Sequence, residues 1–183
     1  DLGLTLNQYK DDNLGFGFES DSLDMRLDKS LGVTAKDMIL ALGYKELAVI
    51  FEKFGGETDA RRLAKIIKDY VKVDQDITAE KLTKLIERNA KYNGKYNPAT
   101  RIFQALRIAV NDELGNLEKA LEASLKILKD KGRILIITFH HLEEQVVKDF
   151  IENNSGQISL IDNLKPSIDF RLEVFLTFLF KFQ

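Results

Sequence analysis

Along most of this chain, apolar positions recur at intervals of three and four, the period of a helix that buries one face. Thr34 opens the first such segment, with Met38, Ile39 and Leu42 on one side and Gly43 at its end. Glu46 to Phe54 carries Leu47, Ile50, Phe51 and Phe54 at the same spacing, and Gly55-Gly56 stops it. Thr58 or Asp59 starts a helix with Leu63, Ile66, Ile67 and Tyr70, and Thr78 caps another with Leu82, Leu85 and Ile86. The spacing predicts an all-α unit of short amphipathic helices joined by brief turns between residues 34 and 93. A further helix is expected from Asn97 to Gly115. Asn97 can accept from free backbone N–H groups, and Pro98 suits the first helical position, where its missing N–H costs nothing. Ile102, Leu106, Ala109, Val110 and Leu114 form its apolar face, so Arg101, Arg107 and Asn111 are expected at the edge of that face or off it. Leu117 to Leu128 continues helically.

The pattern changes after the turn Lys129-Asp130-Lys131-Gly132. Arg133 to Phe139 is a continuous apolar run, as expected of a central strand covered on both faces. Its end delivers Thr138, Phe139, His140 and His141. A helix is expected over Leu142 to Asn153 and a further strand over Gln157 to Asp162. Asp1 to Thr5 reads as the carboxyl end of a buried strand running into a loop. Helix, strand, helix, strand in this order signals α/β architecture, in which ligands bind outside the carboxyl ends of strands. Asp11 to Asp28 is acidic and punctuated by glycine, hence a loop, with Phe16 and Phe18 anchoring it in the core. The Leu- and Phe-rich Arg171 to Gln183 reads as a terminal strand or as sequence from a wrong frame.

Bulk composition narrows the classes. At 183 residues with 44% hydrophobic and 31% charged positions, the chain is long enough for a real core and ordinary for a soluble globular protein. A net charge of −2 excludes polyanion binding by bulk charge, so any RNA contact must come from a local patch. With no cysteine there is neither a disulfide nor a thiolate metal site, which fits a reducing cytosol. Two histidines make a dedicated metal cage an unexpected feature, and no apolar run is long enough to span a bilayer. The local patch is Arg88 to Arg107, which holds Arg88, Lys91, Lys95, Arg101 and Arg107 without an acidic residue, interleaved with Tyr92 and Tyr96. Cations neutralise phosphates and tyrosine offers a face to an unpaired base, the needs of a single-stranded RNA contact. An exposed basic loop with no partner fits the composition equally well. Arg61, Arg62, Lys65 and Lys68 read as a solvated helix face.

The run Pro98-Ala99-Thr100-Arg101-x-Phe103-Gln104-Ala105-Leu106-Arg107-Ile108-x-Val110-Asn111-x-Glu113-Leu114 resembles the signature of the RsmH/MraW family. Asp1-Leu2-Gly3 with Gln8, Gly15-Phe16-Gly17-Phe18, Leu23-Asp24-Met25-Arg26-Leu27-Asp28 and Phe139-His140-x-Leu142-Glu143 also match, in family order, and the likeness reaches to about Asp169. The chain departs from the family at Thr5-Leu6-Asn7, where Ser-Ser-Pro is usual, and at Asn97, where His is usual. The resemblance implies a Rossmann-like S-adenosylmethionine-dependent methyltransferase with a partial sheet and an inserted all-α domain. It implies methyl transfer to the exocyclic amine of a cytidine in 16S ribosomal RNA, in the cytoplasm, with the small ribosomal subunit as partner and no membrane. The alternative is a non-catalytic RNA-binding module. Residues 1–20 and 98–169 would be methyltransferase domain, 21–97 the substrate-recognition insertion and 170–183 an atypical tail.

The same resemblance puts Asp1 and Gln8 at the cofactor and Asp1 and His140 at the chemistry, with no metal. Lys91, Tyr92, Lys95, Tyr96, Arg101, Arg107 and Asn111 are the RNA-contact candidates. An aromatic amine is a poor nucleophile because its lone pair is delocalised into the ring. An acidic side chain that accepts from its N–H groups favours rehybridisation, the role assigned to Asp1. His140 would orient the base or take the released proton, or simply be satisfied at the strand end. The family's Gly-rich loop has no counterpart here, so this polypeptide alone is expected to bind the cofactor weakly or not at all and to be inactive by itself. A homodimer is one assembly such a chain could form; the sequence does not reveal the oligomeric state. Asp1 and His140 are expected to converge on one crevice beneath the helical unit.

Overall fold

A computed structural model describes residues 3–91, 96–129, 132–164 and 176–182. Packing separates two compact units, Leu4–Asp112 and a second that joins Gly3 to the residues from Glu113 onward.

The first unit is helical: α1 (Leu6–Tyr9), α2 (Ala35–Ala41), α3 (Tyr44–Gly55), α4 (Ala60–Val71), α5 (Ala79–Asn89) and α6 (Thr100–Asn111). Local chemistry sets the starts. Thr34 accepts from the Asp37 N–H while Asp37 accepts from the Thr34 N–H, a reciprocal cap that satisfies two orphan donors of α2. Glu46 reaches back to the Gly43 N–H at 2.6 Å and starts α3 two residues before the sequence reading does. Thr78 accepts from the Lys81 N–H at the head of α5. The α3 terminus is a left-handed Gly56 with φ 61°, whose N–H returns to Glu52, while the Glu57 N–H returns to Phe51. That turn lays α4 against α3.

α6 closes the core of this unit against α3. Ile102, Phe103, Ala105 and Leu106 are buried together with Ile39, Leu47, Phe51, Leu63, Ile67, Leu82 and Ile86. The buried face of α6 is rotated from the expected one: Phe103 and Ala105 are buried, while Ala109 and Val110 are only half-buried. The helix also stops sooner. Asp112 takes a left-handed backbone, φ 46° and ψ 45°, so Leu114 belongs to the next helix. Aspartate is among the few side chains that adopt this conformation readily. The close approach of α6 to α3 is possible because residue 55 is glycine; a Cβ there would fall on the Arg101 carbonyl oxygen. Phe16 is buried and Phe18 meets Phe103 edge-on at 4.9 Å, so both aromatics anchor the Asp11–Asp28 segment as expected. Packing thus groups α6 and the described residues 4–20 with the helical unit, where the sequence boundaries put both in the methyltransferase domain.

The second unit holds α7 (Glu113–Ile127), β1 (Arg133–Thr138), α8 (His141–Asn153), β2 (Ile158–Leu164) and β3 (Leu176–Phe182). The sheet order is β1-β3-β2. β3 runs antiparallel to both neighbours, with Arg133 opposite Lys181 on one side and Ile158 opposite Phe182 on the other. β1 and β2 therefore run parallel to each other, joined by a crossover through α8. Leu117, Leu121, Ile136, Val147, Phe150 and Ile158 form the core of this unit.

Two expectations change. Among the described residues β1 is an edge strand with Leu135 57% exposed, not a strand covered on both faces. An apolar run cannot by itself distinguish the two positions. The region assigned to an atypical tail supplies the middle strand of the sheet. These strands alone do not make a parallel Rossmann sheet.

Candidate functional site

The carboxyl end of β1 runs directly into α8, and His140 is the cap between them. Its backbone is extended, φ −150°, and its Nδ1 accepts from the Glu143 N–H at 3.4 Å. Glu143 is 3% exposed. It accepts from the Phe139 N–H at 2.7 Å and places Oε1 3.3 Å from His140 Nε2. Glu113, at the start of α7, completes the group: the ligand atoms of Glu113, His140 and Glu143 all lie within 4.8 Å of one another. The spacing of Phe139-His140-x-Leu142-Glu143 therefore has a physical reason. Residue N3 of a helix is where a side chain can return to the residues before the cap. His141, one position on, is exposed. Glu113 was not a sequence candidate, and no local pattern ties it to the strand end.

In the helical unit, Asn111 is 5% exposed rather than lying at the edge of its face. Its Nδ2 donates to the Met25 carbonyl at 2.7 Å and to the Arg107 carbonyl at 2.9 Å, while its Oδ1 accepts from the Leu27 N–H at 2.7 Å. The amide thus bridges α6 to the Leu23–Asp28 motif and is not presented outward to RNA. The turn it holds is strained. Met25 is fully buried at φ 60°, a conformation that bulky side chains avoid. Gly15 faces the same segment with φ 71°, and a Cβ there would lie 2.7 Å from the Ser22 carbonyl oxygen.

Beside Met25, Arg26 donates to Asp24 through Nε at 2.6 Å and Nη2 at 2.9 Å, and through Nη1 to the Leu31 carbonyl at 2.6 Å. The hydrogen bond from Arg26 holds the Asp24 carboxyl below its usual range, against the opposing effect of burial. A depressed carboxylate contributes stability above its unfolded pKa and loses it as pH falls through the folded value. Asp24→Asn is expected to cost about 1–2 kcal/mol at pH 7. The gap to wild type should narrow below about pH 4. Urea unfolding at pH 7 and pH 3 checks this, and an equal gap at both would refute it.

The remaining candidates fall as follows. Lys91 and Arg101 are exposed and Tyr96 is 51% exposed. They gather where α3 and α5 end and α4 and α6 begin: Lys91 acts electrostatically on Asp59 before α4, and the Arg101 backbone abuts Gly55. Asn97 ties this end together, accepting from the Ala99 N–H at 2.8 Å and donating to Glu87 at 2.7 Å. Arg61 and Arg88 are exposed at the same end. Arg62 and Lys68 are not free solvated charges. Arg62 donates to Asp59 and the Asn89 carbonyl, and Lys68 donates to the Ile39 and Leu40 carbonyls at the end of α2, where burial lowers its pKa. Arg107 is half-buried. Gln8 is half-buried in α1, and its Oε1 accepts from the Thr5 N–H and hydroxyl, both at 3.0 Å. Asp1, Tyr92 and Lys95 lie outside the described residues.

Compared with known proteins, residues 1–171 match the model of the MraW methylase family. The chain belongs to this family. Among curated relatives, the ribosomal RNA small subunit methyltransferase H of Wigglesworthia glossinidia brevipalpis is 41% identical over 157 residues, 85% of this chain and 51% of that protein. The protein of the same name from Syntrophotalea carbinolica is 45% identical over 159 residues, covering 84% and 50% respectively. That of Coprothermobacter proteolyticus is 37% identical over 174 residues, covering 92% and 58%. The chain thus spans about half the length of the curated relatives it matches. As an MraW family chain, it keeps the family motifs on three physical jobs: Phe16 and Phe18 anchor a loop, Asn111 clamps the Met25 turn, and His140 with Glu143 joins β1 to α8. No helix among its described residues is long and apolar enough to cross a membrane.

Proposed function

We propose that this chain is part of an S-adenosylmethionine-dependent methyltransferase acting on the exocyclic amine of a cytidine in small-subunit ribosomal RNA, in the cytoplasm. The family match over residues 1–171, together with relatives named as small-subunit ribosomal RNA methyltransferases, carries the reading. The β1–α8–β2 crossover, with β3 antiparallel between its strands, is compatible with one edge of a larger Rossmann-like sheet.

Within that reading, Asp1 accepts hydrogen bonds from the amine and so favours its pyramidal, nucleophilic form. His140 orients the base. Both of its ring nitrogens face Glu143, so the geometry favours orientation over proton removal. The cofactor, when bound, supplies an electrophilic methyl group. Gln8 suits one edge of it, since Thr5 engages its carbonyl oxygen and its amide nitrogen has donors to offer a carboxylate or hydroxyl. The exposed Lys91, Tyr96 and Arg101, with Tyr92 and Lys95 between them in sequence, would hold the RNA backbone and an unstacked base.

Methyl incorporation from labelled cofactor into undermethylated small-subunit particles, by the complete protein, tests the reaction; no incorporation would refute it. Lys91→Glu with Arg101→Glu is expected to weaken single-stranded RNA binding by about tenfold at moderate salt and to flatten its salt dependence. Fluorescence anisotropy against salt concentration checks this, and unchanged binding would remove that end of the helical unit from the interface.

A further inference from the structure

We propose that Glu143 is a positioning residue for the site at the tip of β1, holding the His140 ring in one tautomer and fixing the turn Phe139–His140; the inference rests on the role given to His140 above. One side chain and its own main chain face both ring nitrogens. The Glu143 N–H donates to Nδ1 at 3.4 Å, and the Glu143 carboxylate lies 3.3 Å from Nε2. The Glu143 N–H disfavours a proton on Nδ1 across a long 3.4 Å contact, and the carboxylate beside Nε2 favours the proton there, so the side chain supplies the larger share of the preference. A ring turned over would set carbon atoms against the Glu143 N–H and beside its carboxylate, losing the hydrogen bond at Nδ1 and the electrostatic contact at Nε2. The other carboxylate oxygen accepts from the Phe139 N–H at 2.7 Å, one residue earlier than a capping-box acid reaches. The tie therefore fastens the end of the strand as well as the start of the helix.

Cap stability alone does not call for this arrangement. A carboxylate that is 3% exposed carries a desolvation cost that a neutral Ser or Thr cap avoids. What it adds is a single ring orientation at the strand end. His141, exposed one residue later, has no such constraint and serves as an internal reference.

The chain holds only two histidines, so its imidazole signals can be assigned with a single His141→Asn variant. Long-range nitrogen–proton spectra of residues 1–183 near neutral pH should show His140 as the Nε2-protonated tautomer and His141 as an exchanging mixture. Glu143→Gln keeps the volume and an acceptor for the Phe139 N–H but sets an amide against Nε2. It should move the His140 signals toward the mixed pattern. In the complete protein the same variant should lower kcat for methyl transfer by about tenfold or more, with KM for RNA unchanged. A mixed tautomer for wild-type His140, or a pure one retained in Glu143→Gln, overturns the proposal. If the wild-type complete protein transfers methyl groups and Glu143→Gln keeps its kcat, the positioning role falls by itself. If the wild type transfers none, the reaction reading falls, and the spectra still decide what Glu143 does.

Discussion

Gly55→Ala is expected to destabilise the helical unit by roughly 3–4 kcal/mol, the upper range for overpacking where backbone must move. Gly55 is the last residue of α3, where a Cβ would normally help a helix. Here it would fall on the Arg101 carbonyl oxygen and press on the Ala105 methyl at 3.2 Å. The carbonyl belongs to α6, which cannot retreat without withdrawing Ile102, Phe103 and Leu106 from the core. Urea denaturation followed by far-ultraviolet circular dichroism measures the cost. Gly56→Ala is the control: it meets no neighbour but has φ 61°, so it should show only the smaller cost of a left-handed alanine, about 1 kcal/mol. A Gly55→Ala midpoint equal to wild type would mean that α3 and α6 do not approach this closely.

Asn111→Asp is expected to cost about 3 kcal/mol near neutral pH, although it changes one atom type and no volume. Asparagine supplies the acceptor for Leu27 and the donor for Met25 in one planar group. A carboxylate is acceptor-only, so it sets an oxygen against the Met25 carbonyl in a site that is 5% exposed. The folded state would raise the pKa of the new acid, because only its protonated form can donate. The cost is therefore fully present above that raised value and shrinks as pH falls below it. Asn111→Leu loses the bridge without adding a charge and should show no such recovery in acid. Parallel pH dependence of the two variants would refute the clamp.

Much of the helical unit was legible because its signals are local. Thr34 and Thr78 cap where their types predict, and Gly56 ends α3 through the left-handed turn that glycine favours. Asn97 accepts from the Ala99 N–H, but α6 begins only at Thr100 with Ala99 as its cap residue, two positions later than the sequence places it. Thr5 and Gln8 formed an equally local capping box, passed over because the segment read as loop. Asn111 was misplaced for a different reason. A helical wheel scores an amide as polar and turns it outward, but its partners on the Met25 turn lie more than 80 residues earlier in the chain. Glu143 presents the same difficulty: its spacing marks a cap, while its burial depends on what packs over the strand end. Asp112 broke a helix with neither glycine nor proline to announce it. Strand order was out of reach, since an apolar run fixes neither its neighbours nor their direction.

The position of β3 bears on when each unit can mature during synthesis. The last of the three described strands in chain order lies between the other two, so among the described residues β1 and β2 gain their shared partner only once residues 176–182 have left the ribosome. Residues 4–112 meet no such delay, because the contacts that define their unit are made within that span. A nascent chain halted before residue 176 would thus carry the helical unit and two strands that lack β3 between them, a state prone to association with its own kind.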